Sequence, residues 1–227
     1  MKKLKLILLI LCAVSFVGHL FLYPYLPDMI PSNWSFDGTI NSYSEKSLSI
    51  FLALLPALLL LLMDFIPRID PRGRNYQKHE KAYQFFMIAI VLFLTVMVWV
   101  SNLAALGYTV DMGLLVQLGL GILFLIIGNF MPQIRSNYTF GIKTPWAIEN
   151  EYVWRKTHQA GGIVFCLLGI LFLISAFFKS EIFSWVIMGF LLISTLGLSL
   201  YSYLVYRKLG AQPGEQSAKQ KETPDEE

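Results

Sequence analysis

The chain has 227 residues, of which 56% are hydrophobic and 15% charged, with a formal net charge of +3 and a mean hydropathy of +0.58. A soluble domain carries roughly 25% charged residues, so the composition excludes an ordinary soluble globule. The small positive charge calls for no direct nucleic-acid partner.

The charge deficit comes from blocks with no charge at all. Crossing the hydrocarbon core, ~30 Å thick, takes about 20 apolar helical residues. The first such segment is Leu6–Leu22, preceded by Lys2, Lys3 and Lys5. Its apolar run is longer than that of a signal peptide and no small-x-small cleavage site follows, so it reads as a retained span. In the next stretch, Tyr23–Ser47, Pro24, Pro27 and Pro31 prevent a continuous helix. Asp37-Gly38 marks a turn there.

The second span, Leu48–Phe65, contains Pro56 and ends near Asp64. Membrane helices tolerate such a proline when neighbours satisfy the freed carbonyl. Asp64 stands four residues before Arg68, the spacing of a helix-end ion pair. A basic connection follows, and then the spans Tyr83–Leu106, Met112–Asn129, Gln159–Phe178 and Ile182–Tyr206. Gly113, Gly119, Gly121 and Gly128 lie along the fourth span, and Gly162, Cys166 and Gly169 share a face of the fifth. Small residues let membrane helices approach closely, which predicts that spans four and five pack together. The polar tail lacks aromatic residues and reads as disordered.

The fold class is therefore an all-α integral membrane protein with six transmembrane helices. Its parts are residues 1–65 (two spans and an outer loop), 66–82 (a basic loop), 83–206 (four spans) and 207–227 (the tail). Sixteen of the 18 lysines and arginines fall on one side of this arrangement, and only Lys46 and Lys179 on the other. Basic loops stay in the cytoplasm, so both termini are predicted to be cytoplasmic.

The stretch 128–158 is more specific than anything around it. Thr144 and Pro145 read as an N-cap and first helical residue, and Gly141 as a turn. Trp146, Val153 and Trp154 fall on one side of the helix wheel, which predicts an interfacial helix anchored by tryptophan in the headgroups. Arg155 and Lys156 could meet anionic lipid.

Soluble-enzyme motifs are missing: there is no phosphate loop, HExxH or nucleophile elbow. His19, His79 and His158 have no ligand-like spacing, and Cys12 and Cys166 both fall within spans. No catalytic residue, metal site or cofactor is expected.

A family resemblance rests on two sets of residues. Gly128-Asn129, Pro132, Asn137, the run Gly141-Ile142-Lys143-Thr144-Pro145-Trp146, Trp154 and Thr157-His158 resemble the signature of the SdpI-type immunity proteins. Leu26-Pro27, Ile30-Pro31, Trp34, Asp37-Gly38, Tyr43 and Lys46 resemble the domain of unknown function at the N-terminus of the family's long form. The resemblance runs from span one to span six and implies a bacterial cell-membrane protein that protects its producer from a secreted sporulation-delaying peptide toxin. It also implies that the protein holds a cytoplasmic autorepressor at the membrane when toxin is sensed. The cytoplasmic signature residues are then the candidate docking site for that partner. Pro27, Pro31, Trp34, Asp37, Gly38 and Tyr43 are the candidate toxin contacts.

Two other readings compete. A six-span transporter or permease would use the break at Pro56, with a path depending on Asp64 or Asn129. A membrane enzyme would draw on His158, Glu149 and Glu151, which show no catalytic spacing. The sequence sets no oligomeric state.

Overall fold

A computed structural model describes residues 2–35, 38–178 and 180–210. The order is α1 (Lys2–Leu22), β1 (Met29–Trp34), β2 (Ile40–Glu45), α2 (Ser47–Ile69), the single turn α3 (Asn75–Lys78), α4 (Glu80–Ala105), α5 (Met112–Phe130), the short α6 (Pro145–Glu149), α7 (Glu151–Ser175) and α8 (Glu181–Gly210). Six of these helices are long and apolar enough to cross a membrane: α1, α2, α4, α5, α7 and α8.

The six long helices pack mainly in chain order, with α5 on α7 as the most extensive contact. The predicted glycine seam is there. A Cβ on Gly128 would lie 2.7 Å from the Gly162 carbonyl oxygen, and one on Gly169 would lie 2.8 Å from that of Gly121. Two backbones approach this closely only where neither residue has a side chain. By contrast α8 touches α7 and α6 and turns Trp185, Met188, Leu192, Ile193 and Leu196 outward.

The prolines of α2 do not stop it. The helix runs through both Pro56 and Pro67, four residues beyond the predicted end. Pro67 has no N–H for the carbonyl four residues earlier, and the Tyr83 hydroxyl donates to that Met63 carbonyl at 2.6 Å. Tyr83, Met63, Leu60, Met87, Val91, Leu8 and Cys12 form a core joining α1, α2 and α4.

The segment between α1 and α2 is a small antiparallel hairpin, which the proline-rich sequence did not predict. Met29 pairs with Glu45, Ile30 with Ser44 and Pro31 with Tyr43, and the register shifts at Asn33. Gly38 closes the turn at φ 88°, with its N–H bonded to the Ser35 carbonyl at 2.9 Å. The turn rests near the start of α5, where Asp111 caps the helix by accepting from the Leu114 amide at 3.0 Å. Lys46 closes the hairpin base with an ion pair to Asp28 at 2.9 Å. The hairpin lies at one end of the bundle, and the α2–α4 and α5–α7 connections lie at the other.

Candidate functional site

The α5–α7 connection is a folded loop held from inside. Asn137 starts it. Its side chain is fully buried, and its Oδ1 accepts from the amides of Thr139 at 3.0 Å and Phe140 at 2.5 Å. Its Nδ2 donates to the Arg135 carbonyl at 2.9 Å. One amide side chain thus replaces the backbone partners that a tight turn lacks.

Asp70, at the end of α2, grips the same turn. Its carboxylate accepts from the Arg72 amide at 2.8 Å, the Tyr138 amide at 3.0 Å, the Thr139 hydroxyl at 3.0 Å and the Tyr76 hydroxyl at 3.2 Å. Burial works to raise its pKa, and these hydrogen bonds outweigh that effect and hold it below the ordinary value. The Tyr76 hydroxyl also lies 3.2 Å from Asn137 Oδ1, so one proton serves both acceptors. Burial, followed by the neighbouring Asp70 charge, raises the Tyr76 pKa and keeps that proton in place.

Arg72 and Asn75 extend the grip. The Arg72 guanidinium donates to the Ser136 hydroxyl and to the Ile148 carbonyl at 3.2 Å, and sits 4.8 Å from the Tyr138 ring centre. Asn75 donates to the Ser136 carbonyl at 2.7 Å. His79 is buried, and its Nδ1 accepts from the Arg135 amide at 3.2 Å. That bond needs a bare Nδ1, so the ring is neutral with its proton on Nε2. Burial, aided by the Arg135 charge, lowers the His79 pKa to about 4.

His158 clamps the second half of the loop. Its Nε2 accepts from the Ile142 amide at 3.1 Å, so Nδ1 carries the proton and donates it to the Trp154 carbonyl at 2.8 Å. Both ring nitrogens are used. Gly141 stands beside the ring at φ 110°, and a Cβ there would collide with Nε2. Glycine is required at this position by conformation and by space.

The predicted interfacial helix is corrected here. Thr144 does cap a helix, accepting from the Ala147 amide at 3.2 Å, with Pro145 in the first turn. That helix ends at Glu149, however. Asn150 is a second cap, accepting from the amides of Tyr152 at 2.9 Å and Val153 at 3.2 Å. The membrane-spanning α7 starts there, eight residues before the predicted Gln159. Trp154 is therefore no lipid anchor. It is 1% exposed, donates its indole N–H to the Ile134 carbonyl at 2.8 Å and stacks on His158 at 4.1 Å.

The remaining sequence candidates separate by exposure. Thr157 is buried with Asn137, Thr144, Trp154 and His158; Ile142 and Trp146 are half-buried, the latter 5.2 Å from the Tyr203 ring. Asn129, Pro132, Lys143 and Pro145 are exposed. In the hairpin Pro31 is buried, Trp34 half-buried, and Pro27 and Tyr43 exposed, while Asp37 lies outside the described residues. Trp34 walls a mostly apolar cavity of about 220 Å³ between α2, α4 and α5. Asp64 pairs with Arg68 at 2.5 Å, as its spacing predicts, and also with Lys5. Among the described residues no cluster of metal-ligating side chains forms.

Asp70, Arg72, Asn75 and Tyr76 were invisible to sequence reasoning, because a loop rich in charges gives no sign of which one is buried. Asn150 did leave a signal, a second cap residue six positions after Thr144.

The comparisons with known proteins divide along the same lines. The SdpI/YfhL protein family matches residues 133–202, and a domain of unknown function (DUF1648) matches residues 10–60. The Immunity protein SdpI of Bacillus subtilis (strain 168) is 31% identical over 210 residues, covering 92% of this chain and 98% of that protein. The chain belongs to the SdpI/YfhL family. It is a multi-pass cell-membrane protein. The SdpI/YfhL match ends at Ser202, whose hydroxyl shares a 2.5 Å hydrogen bond with that of Thr144. The family segment is thus closed on itself by contact between its loop and its last helix. No solved structure matches the chain.

Proposed function

We propose that the protein is a membrane immunity protein that protects its cell from a secreted antimicrobial peptide toxin and relays the toxin's presence to a cytoplasmic repressor. The observation carrying this reading is the near full-length similarity to an immunity protein, spanning both the hairpin and the folded loop. Basic residues concentrate at the loop end, which supports a cytoplasmic loop and an outward hairpin. The hairpin offers Pro27 and Tyr43 as exposed toxin contacts.

On the cytoplasmic side, the buried signature residues hold the loop's shape. Docking falls to what they leave outside, namely Lys143, Pro145 and the open edge of Trp146 on Tyr203. Expression in toxin-sensitive cells tests the first part: survival after toxin challenge is expected, and death at the rate of control cells would refute it. The second part is tested by membrane recruitment of a repressor encoded nearby. Trp146→Ala is expected to abolish recruitment while leaving protein level in the membrane unchanged.

A further inference from the structure

At the loop end, a cleft of about 600 Å³ opens between the end of α5 and the start of α7. Lys78, Arg135 and Arg155 line it against one carboxylate, Glu151, with Gln133 and Gln159 adding amide groups. We propose that this cleft binds the phosphodiester headgroup of an anionic membrane lipid.

Three features of the cleft support this occupant. The first is charge carried on a fixed backbone. Arg135 is fixed at its amide by His79, the neighbour of Lys78, and Arg155 lies in the first turns of a helix capped by Asn150. The positive end of the α7 dipole adds to the field of the three cations.

The second is depth. At 1.5 Å per residue the 25 residues of α7 extend ~38 Å, about 8 Å beyond a hydrocarbon core of ~30 Å. The far end of α7 is apolar, with Phe172 and Ile174, so the surplus falls at the Glu151 end, in the headgroup layer.

The third is what continues from the cleft. Gln159 lies on its wall, and Ile163, Leu167, Ile170 and Ile174 follow it at helical spacing, all exposed. This stripe faces outward and gives acyl chains a track leading away from the headgroup. An acidic protein segment would have no use for it.

The test uses the purified full-length protein in detergent, titrated with dioleoyl phosphatidylglycerol or dioleoyl phosphatidylcholine, with bound lipid counted by native mass spectrometry. Phosphatidylglycerol is expected to bind preferentially. The R135Q/R155Q pair is expected to weaken it about thirtyfold, at roughly fivefold per charge lost near the surface. R74Q/K81Q removes two exposed charges at the same end but outside the cleft, and is expected to leave binding unchanged. If R135Q/R155Q does not fold, K78Q carries the test with an expected fivefold loss.

Equal binding of the two lipids, or equal loss in R74Q/K81Q, would overturn the proposal. So would displacement by millimolar inorganic phosphate, which would identify a soluble phosphate site. Displacement by a polyglutamate peptide at lower concentration than the lipid would identify an acidic protein instead. This proposal stands whether or not the immunity reading does.

Discussion

Tyr83 donates its hydroxyl proton to the Met63 carbonyl at 2.6 Å, the carbonyl that Pro67 leaves without a helical partner. One tyrosine on α4 thereby repairs a defect in α2 and ties the two helices together. Tyr83→Phe should cost about 1–3 kcal/mol, the penalty for an unsatisfied buried acceptor. In a Pro67→Ala background the same change should cost much less, because the restored N–H takes the carbonyl. A double-mutant cycle on denaturant unfolding measures the difference. Equal costs in both backgrounds would show that the bond does not serve the repair.

The grip of Asp70 on the loop predicts a local defect. Asp70→Asn keeps the shape but turns an amide toward donors that a carboxylate accepts. The loop is expected to loosen by about 2–3 kcal/mol, since hydrogen bonds to charged groups exceed neutral ones. Limited proteolysis between 131 and 150 should speed up while the helical circular dichroism stays constant. An unchanged cleavage rate would count against the hub.

Gly141 and His158 predict a different pattern. Gly141→Ala should destabilise the loop by about 2–4 kcal/mol, through strain at positive φ and collision with the imidazole. Adding His158→Ala removes the collision but leaves the strain, so rescue should be partial. Thermal unfolding of the two variants separates the contributions, and full rescue would contradict the backbone argument.

The loop should also respond to pH through His79. Its folded pKa of about 4 lies below the unfolded value of 6.5. The unfolded state therefore binds the proton first, and stability falls as pH drops from about 6.5 to about 4, then levels off. The full loss is about 3 kcal/mol at 1.36 kcal/mol per pKa unit. Asp70 adds its own loss only below the ordinary carboxylate range, because its pKa is lowered. His79→Asn keeps an acceptor for the Arg135 amide and should flatten the curve between 4 and 6.5. Stability measured across that range in the variant and the parent checks it.

Trp154 offers a direct optical check. Buried against Ile134 and His158, it should resist quenching by both iodide and brominated lipid when the other tryptophans are replaced by phenylalanine. A tryptophan anchored in headgroups would be quenched by the lipid.

The helical framework was legible because hydrophobic length is a strong signal. All six spans and the seam of Gly121, Gly128, Gly162 and Gly169 were readable from charge-free blocks and small-residue spacing. The hairpin was not, because Pro24, Pro27 and Pro31 argue against a helix without arguing for strands. The helix at Thr144 was read correctly at its start and wrongly at its end. Two tryptophans beside a membrane suggested an interface, while Asn150 had already restarted the chain as α7. Burial of Trp154 and Asp70 also depends on distant partners, Ile134 at 20 residues and Tyr138 at 68, and a local reading cannot supply them.

The bond between Thr144 and Ser202 sets an order on biogenesis. The loop leaves the ribosome well before α8 does, so Thr144 can cap its own helix through the Ala147 amide at once, but its contact to Ser202 waits for the last helix. A chain stalled after α7 would present the loop without its contacts to α8 and more open to proteases. The finished surface around Trp146, with Tyr203 beside it, therefore exists only once the final span has arrived.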